Sequence, residues 1–197
     1  MTGTARRPSR RPGSPRARLF LALEPVEDDR EALAAWRDEL VAGRSDLRPL
    51  AAESLHLTLV FLGYQAEKDI PRIWDAASSA VGGLEPALLR PARVAPVPPR
   101  APRLFALDLE DEGSRAAAIQ AAAAEPLAAE RFYRPEKRAW WAHLTLARVK
   151  RGVRAAPLEP DRPAPGPLRA TVVTLYQSLL RPQGALYVPL ERIELGA

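Results

Sequence analysis

Two identical tetrapeptides decide the fold of this chain: residues 56–59 and residues 143–146 both read His-Leu-Thr-Leu. Together they contain both of the histidines found among the 197 residues. In a β-strand, side chains alternate between faces, so residues two apart share a face and lie about 7 Å from each other. Each tetrapeptide therefore predicts a strand that sends its leucines into a core and presents a histidine and a threonine on the other face.

The sequence around the tetrapeptides is duplicated. Residues 18–23 (RLFLAL) are similar to residues 103–109 (RLFALDL), and a helical pattern separates each of these strands from its tetrapeptide. The separations from Arg18 to His56 and from Arg103 to His143 are 38 and 40 residues. An internal repeat of this kind indicates two lobes related by a pseudo-twofold axis, which would bring both His–Thr pairs to one shared cleft.

Hydrophobic periodicity and turn residues predict alternating strands and helices, which the repeat groups into two pseudo-symmetric strand–helix–strand lobes. We expect one domain over residues 18–197, with lobes centred near 18–85 and 103–150. Ser114 should cap the third helix. The expected strands are 18–24, 54–63, 87–98, 103–109, 141–147, 169–180 and 186–195; the expected helices are 28–40, 69–81 and 114–125.

Positive charge is concentrated at the start of the chain. Six of the 29 basic residues and none of the 24 acidic residues lie in residues 1–18, so the remainder carries a net charge of −1. Because residues 1–17 are also rich in proline, we expect a disordered basic tail: a solvated extension, or a weak phosphate-binding arm. No apolar stretch reaches the roughly 7–15 residues of an export signal or the roughly 20 of a membrane span. We expect a cytoplasmic protein with no membrane partner.

The composition excludes several kinds of site. The chain has no cysteine, which excludes disulfides, thiolate metal sites and a cysteine nucleophile. Two histidines are too few for a three-histidine metal site. The carboxylates show no clustered two-metal pattern. We therefore expect neither a metal nor a cofactor, and the sequence indicates a monomer with no obligate protein partner.

The duplicated histidines and threonines suit acid–base chemistry on a phosphate. Two imidazoles with pKa near 6.5 can act at neutral pH as general base and general acid. Threonine hydroxyls can donate hydrogen bonds to phosphoryl oxygens as negative charge develops. A single histidine in a strand is usually structural, but two copies on a repeat favour catalysis. We predict His56 and His143 as catalytic and Thr58 and Thr145 as phosphate-binding.

The paired motifs, 87 residues apart, resemble those of the 2H phosphoesterase superfamily. The segments RLFLALEP, LHLTLVFLG, HLTLARV and TLYQSLL are similar to the RNA 2′,3′-cyclic phosphodiesterases, also known as 2′-5′ RNA ligase-like proteins, over residues 18–195. The resemblance implies an α+β, bilobal fold in which the two lobes, with small antiparallel-type sheets, surround a central cleft. It also implies metal-independent hydrolysis of RNA 2′,3′-cyclic phosphate ends, or of small cyclic nucleotides, to 2′-phosphates. It favours His143 as the base that activates water and His56 as the acid that protonates the 3′-oxygen, although the sequence alone allows the reverse.

Further site residues follow from the resemblance. It implies that Arg148, five residues after His143, contacts the phosphate; simple strand alternation would point this side chain away, so a bulge or a strand end is required. Trp141 shares the face of His143 and could stack on a nucleobase, or pack in the core. Tyr176 and Ser178 lie in a stretch that lines the cleft in the family.

Two other functions stay open. The same fold could act on another phosphodiester, by 2′-5′ RNA ligation or cleavage or by opening ADP-ribose cyclic phosphate. The chain could also be a non-catalytic RNA-binding module. Comparing the rates on a panel of phosphodiester substrates distinguishes the first alternative from hydrolysis of 2′,3′-cyclic phosphates. RNA affinity that survives the loss of both histidines would indicate the second.

Overall fold

The computed structural model describes residues 14–182 and 184–196. Three α-helices, three short 3₁₀-helices and eight β-strands make up the regular structure of these residues. The α-helices are α1 (Glu27–Leu40), α2 (Ile70–Val81) and α3 (Arg115–Ala129). The strands are β1 (Arg16–Pro25), β2 (Leu47–Pro49), β3 (Leu57–Ala66), β4 (Ala87–Val97), β5 (Leu104–Asp111), β6 (His143–Val149), β7 (Leu168–Arg181) and β8 (Gly184–Glu194).

The strands form an antiparallel sheet with two four-stranded halves. The first half has the order β3-β1-β7-β8 and the second has the order β2-β6-β5-β4. Two short pairings join the halves: β3 meets β6 at Leu57 and Leu144, and β4 meets β7 between residues 87–89 and 168–170. The predicted α+β, antiparallel fold is confirmed, and the two expected sheets are continuous with each other.

The duplication is visible in the pairing of the strands. β1 pairs with β3 in the first half, as β5 pairs with β6 in the second. The strand that follows each repeat then crosses over, because β4 pairs with β5 of the second half and β7 pairs with β1 of the first. Each half therefore contains a strand supplied by the other part of the chain.

The leucines of the two tetrapeptides lie in the main core. Leu57, Leu144 and Leu146 are fully buried and Leu59 is 3% exposed. All three helices contribute to the same core. Burying such a leucine stabilises the fold by about 1.5–3 kcal/mol. The predicted alternation is confirmed: the leucines face inward, and the histidines and threonines between them remain partly exposed.

The ends of several elements differ from the predictions. β1 begins at Arg16, inside the expected tail, whereas residues 1–13 of that tail lie outside the described residues. The short strand β2 was not predicted, because three residues carry no readable periodicity. Ser114 does not cap α3: its φ is 56° and its side chain makes no cap hydrogen bond. Instead the Asp111 carboxylate accepts hydrogen bonds from the first backbone N–H groups of that helix.

No helix within the described ranges combines the length and the apolarity that a membrane span requires.

Candidate active site

The junction of β3 and β6 places the two tetrapeptides side by side. Leu57 and Leu144 are partners in an antiparallel pair. An ideal antiparallel ladder continued by one residue in each direction from this pair would set His56 opposite Thr145 and His143 opposite Thr58. In ideal antiparallel geometry the two histidines are then diagonal neighbours about 7–8 Å apart, a separation that a phosphate group can bridge.

Two adjoining cavities flank this junction. The His56 cavity has a volume of about 400 Å³ and the His143 cavity a volume of about 340 Å³. Thr58 and Phe61 line both cavities. The two cavities therefore adjoin, and we describe them together as one cleft. Thr145 is partly buried and is not among the described residues that line either cavity. The structure thus brings three of the four predicted motif side chains to the wall of the cleft.

His143 is held by its own strand and by a neighbouring ring. Its Nδ1 lies 2.9 Å from the carbonyl oxygen of Trp141, so this nitrogen carries the proton and Nε2 carries the lone pair. The Trp141 indole stacks on the imidazole with ring centroids 4.0 Å apart. Burial lowers the pKa of His143 below its usual 6.5; Arg138 lowers it further, whereas the Trp141 carbonyl and Asp108 raise it. The ring is therefore neutral at pH 7.

Trp141 lines the His143 cavity, as predicted, and it is anchored from behind. Its indole Nε1–H donates a hydrogen bond of 2.7 Å to the Asp108 carboxylate. Asp108 also pairs with the exposed Arg93 at 3.1 Å. Next to it, Trp140 donates from Nε1 to the Thr58 carbonyl at 3.0 Å, which adds a link between the two motif strands. Sequence reasoning missed Asp108, because nothing in its local pattern connects it to Trp141.

His56 lies among aromatic rings. Phe20 and Tyr176 stack near it with centroids at 5.1 and 5.8 Å, and Tyr187 meets it edge-on at 5.3 Å. Its Nδ1 is buried and makes no hydrogen bond of good geometry with the described residues. Burial is the main cause that lowers the pKa of His56 to about 4, against the opposing effect of the Glu24 carboxylate and the backbone nearby.

Tyr176 and Ser178 do not line the cleft, which corrects the prediction. Both are only 4% exposed, because neighbouring strands cover this face of β7. The Tyr176 hydroxyl donates to Glu24 at 2.7 Å while its ring stacks near His56. Ser178 Oγ accepts a hydrogen bond of 2.8 Å from Arg18, which does line the His56 cavity. These two side chains support the wall of the cleft from behind.

Arg148 lines the His56 cavity, and a β-bulge explains how it gets there. The register of β6 against β5 skips Leu146, so one residue of β6 has no partner. The extra residue reverses the alternation of side chains beyond it. Leu146 and Ala147 are consequently both buried, and Arg148 returns to the face that carries Thr145. The bulge that the sequence required is present.

Three further arginines in the His56 cavity were missed by sequence reasoning. They come from three strands that are distant in the sequence: Arg18, Arg48 and Arg181. Arg48 lies directly opposite Arg148 in the pairing of β2 with β6. Like charges at facing positions are destabilising, and an anion between them removes that cost. No carboxylate belongs to the described lining of this cavity, so the cavity is suited to a phosphate.

The described residues contain no group of three or more histidine, aspartate, glutamate or cysteine side chains that could hold a metal ion.

Sequence relatives match most of the chain. A model of the family described as LigT like phosphoesterase matches residues 23–103. Two proteins named RNA 2′,3′-cyclic phosphodiesterase, from Archaeoglobus fulgidus and Methanothermobacter thermautotrophicus, are each 29% identical to this chain. The alignments cover 90% and 91% of this chain and 99% and 100% of the relatives.

Solved structures share the fold. A protein of Thermus thermophilus superposes with a TM-score of 0.74 at 28% identity, covering 91% of this chain and 98% of its own. E. coli LigT complexed with 3′-AMP superposes with a TM-score of 0.72 at 24% identity, covering 93% and 100%. The resemblance predicted from the paired motifs is therefore confirmed: this chain is similar in sequence to the LigT-like phosphoesterases over residues 23–103, and it shares the fold of these solved structures.

Proposed function

We propose that this chain is an enzyme that hydrolyses RNA 2′,3′-cyclic phosphate ends to 2′-phosphates, with His56 and His143 as its acid–base pair. One observation carries the proposal. The antiparallel junction at Leu57 and Leu144 lies where His56, Thr58 and His143 line one cleft, next to a wall of arginines. The names of the two archaeal relatives support this class of substrate.

The proposed reaction needs two proton transfers. His143 accepts a proton from water at Nε2, because its Nδ1–H is committed to the Trp141 carbonyl. The water oxygen attacks phosphorus, and the bond between phosphorus and the 3′-oxygen breaks. His56 donates a proton to the departing 3′-oxygen, which leaves the phosphate on the 2′-oxygen. Each positioned proton transfer typically contributes 10²–10⁴-fold to the rate.

His56 must be protonated to act as the acid. Its surroundings hold its pKa at about 4 in the free protein, so the ring is neutral at pH 7 before substrate binds. A bound phosphate anion favours the imidazolium and raises this pKa. In this proposal, substrate binding therefore charges the acid, and the Glu24 carboxylate assists in the same direction.

The phosphate is held by the groups beside the histidines. Thr58 lies where the two cavities meet, and Arg148 lies in the His56 cavity. Both can donate hydrogen bonds to the non-bridging oxygens, which gain negative charge in the transition state. Thr145 is assigned the same role because it faces His56 in the extended register. No step in this scheme requires a metal ion.

The test is hydrolysis of a 2′,3′-cyclic mononucleotide and of an RNA with a 2′,3′-cyclic end, each with and without EDTA. We expect turnover that EDTA does not reduce, with a 2′-phosphate as product. A 2′-5′-linked dinucleotide and ADP-ribose cyclic phosphate serve as competing substrates. The proposal is wrong if neither 2′,3′-cyclic compound is opened, or if a competing substrate is turned over much faster.

A further inference from the structure

A third cavity extends the His56 cavity away from the catalytic junction. Its volume is about 580 Å³, and it shares Arg48, Arg181 and Gly184 with the His56 cavity. Because the two cavities share these walls, they adjoin each other, and we call the two together the basic groove. The far end of the basic groove carries three more cations: Arg103, Lys150 and Arg151.

The basic groove is a local concentration of positive charge. Seven cationic side chains line it, and the described lining residues include no carboxylate. The chain beyond its first 18 residues has a net charge of −1, so the groove does not merely reflect an overall basic composition. A cleft lined by one sign of charge focuses the electrostatic field and attracts ligands of the opposite sign.

Backbone hydrogen bonds hold two of the residues that carry the positive charges of the groove. Arg103 accepts a backbone hydrogen bond from Val149 at 2.9 Å, and the Lys150 N–H donates to the Asp46 carbonyl at 2.9 Å. Gly184, which lines both cavities, lies close to the Arg48 guanidinium: a Cβ on Gly184 would lie 2.9 Å from Arg48 Nη1. The backbone hydrogen bonds therefore fix residues 103 and 150, and Arg48 lies against the wall that the two cavities share.

The two sides of the catalytic junction differ in chemistry. The His143 cavity is lined by Tyr133, Trp140 and Trp141, whose rings suit a nucleobase. The opposite side opens into the basic groove, whose guanidinium and ammonium groups suit phosphates. In an RNA with a 2′,3′-cyclic end, only the 5′ side of the terminal nucleotide continues into the strand. The strand must leave the junction on one of these two sides.

We infer that the basic groove binds the phosphates of the RNA strand upstream of the cyclic end, so that this protein prefers oligonucleotide ends to mononucleotides. This inference rests on the proposed function and deepens it. The distal cations Arg103, Lys150 and Arg151 lie outside the His56 cavity, so they contact the strand several bonds away from the reacting phosphorus. They act on the affinity for RNA and leave the chemical step unchanged.

The experiment compares kcat/KM for a 2′,3′-cyclic mononucleotide with that for RNA oligonucleotides of two, four and eight residues that carry the same cyclic end. The test variant is Lys150→Glu with Arg151→Glu. The control is Lys68→Glu, which reverses an exposed charge that lines neither the cleft nor the groove.

For the wild type we expect kcat/KM to rise with length, by about tenfold or more at eight residues, because added phosphates release counterions. The test variant loses most of this rise and hydrolyses the mononucleotide at the wild-type rate, whereas the control keeps the rise. The dependence of log kcat/KM on log salt concentration should become shallower by about 1.4 in the test variant, since each single-strand phosphate contact contributes about 0.7.

Failure of this inference is distinguishable from failure of the proposed function. If the wild type hydrolyses the mononucleotide but gains nothing from longer RNA, or if the test variant keeps the full gain, the groove inference is wrong and the proposed function stands. If the wild type opens no cyclic phosphate, the proposed function is wrong. The groove is then tested by fluorescence anisotropy with a labelled eight-residue RNA, and equal affinities of the wild type and test variant overturn it.

Discussion

The two histidines have different surroundings although their tetrapeptides are identical. His56 is enclosed by Phe20 from β1 and by tyrosines from β7 and β8, whereas His143 stacks on Trp141. The repeat in the sequence singles out these two histidines, which we propose as the acid–base pair. It could not predict their environments, because the enclosing rings come from strands far away in the chain.

These surroundings predict how the histidines titrate. Desolvation disfavours the charged imidazolium, so in the free protein both pKa values should lie below 6.5, with that of His56 near 4. Because the chain has two histidines, proton NMR of their ring signals reads both titrations directly, and His56→Gln assigns them. A cyclic nucleotide or inorganic phosphate should move the His56 titration upward. Titration of both histidines at or above pH 6.5 in the free protein would contradict this account.

Asp108 is expected to act as a positioning residue through Trp141. Its carboxylate holds the indole that covers His143 and also raises the pKa of His143. Asp108→Ala removes both effects. We expect kcat/KM to fall by about three- to tenfold, because this factor corresponds to the free energy that one hydrogen bond contributes. Asp108→Asn keeps an acceptor for the indole but loses the charge, so it should restore most of the activity.

The pKa of His143, measured by NMR, distinguishes the expected effect of the two Asp108 variants from a purely structural defect. Loss of the negative charge lowers the pKa of His143 in both variants, because the imidazolium loses a favourable neighbour. Thermal unfolding serves as the control for global damage. An unchanged His143 titration, or an Asn variant no better than the Ala variant, would show that Asp108 does not position this site.

At the scale of elements, the sequence predicted every strand and helix that carries a strong period. The tetrapeptide strands, the three helices and the closing strands β7 and β8 all appear close to their expected places. The features that the sequence did not predict depend on which strands pair with each other. β2 exists because it pairs with β6, and the position of the bulge at Leu146 is defined only against β5. These two features deliver Arg48 and Arg148 to the cleft.

The cap of α3 gives a prediction at this scale. The Asp111 carboxylate accepts hydrogen bonds from the N–H groups of Ala116 and Ala117 at 2.9 and 2.8 Å. Asp111→Ala should lower the free energy of unfolding by about 1 kcal/mol, within a range of about 0.5–2 kcal/mol. Ser114→Ala is the matched control and should change it by less than about 0.5 kcal/mol, because Ser114 makes no cap bond.

Urea denaturation monitored by circular dichroism measures both changes in the free energy of unfolding. Equal losses in the two variants, or a larger loss for Ser114→Ala, would mean that the N-terminus of α3 is not capped as the structure shows. The sequence favoured Ser114 because serine is a common capping residue directly before a helical pattern. The left-handed backbone at Ser114 turns its side chain away from that role.

At the scale of the whole molecule, the site exists only where the two halves meet. Each half supplies one histidine, and the pairing of Leu57 with Leu144 brings the two motif segments together. The duplication in the sequence predicted this meeting, because twofold symmetry brings equivalent residues together. The basic groove breaks that symmetry, since its cations come from β1, β2, β6, β7, the residue before β5 and the segment after β6. Repeat symmetry therefore predicts the pair of histidines but not the groove.

The central claim is that both halves contribute to one catalytic unit. The most direct test is hydrolysis of a 2′,3′-cyclic phosphate in the presence of EDTA by the wild type, His56→Ala, His143→Ala and the double variant. Each single variant should lose at least about 10²-fold in kcat, and the double variant should lose little more, because residues that act as a unit are not additive. A single variant that retains most of the wild-type rate would contradict the claim.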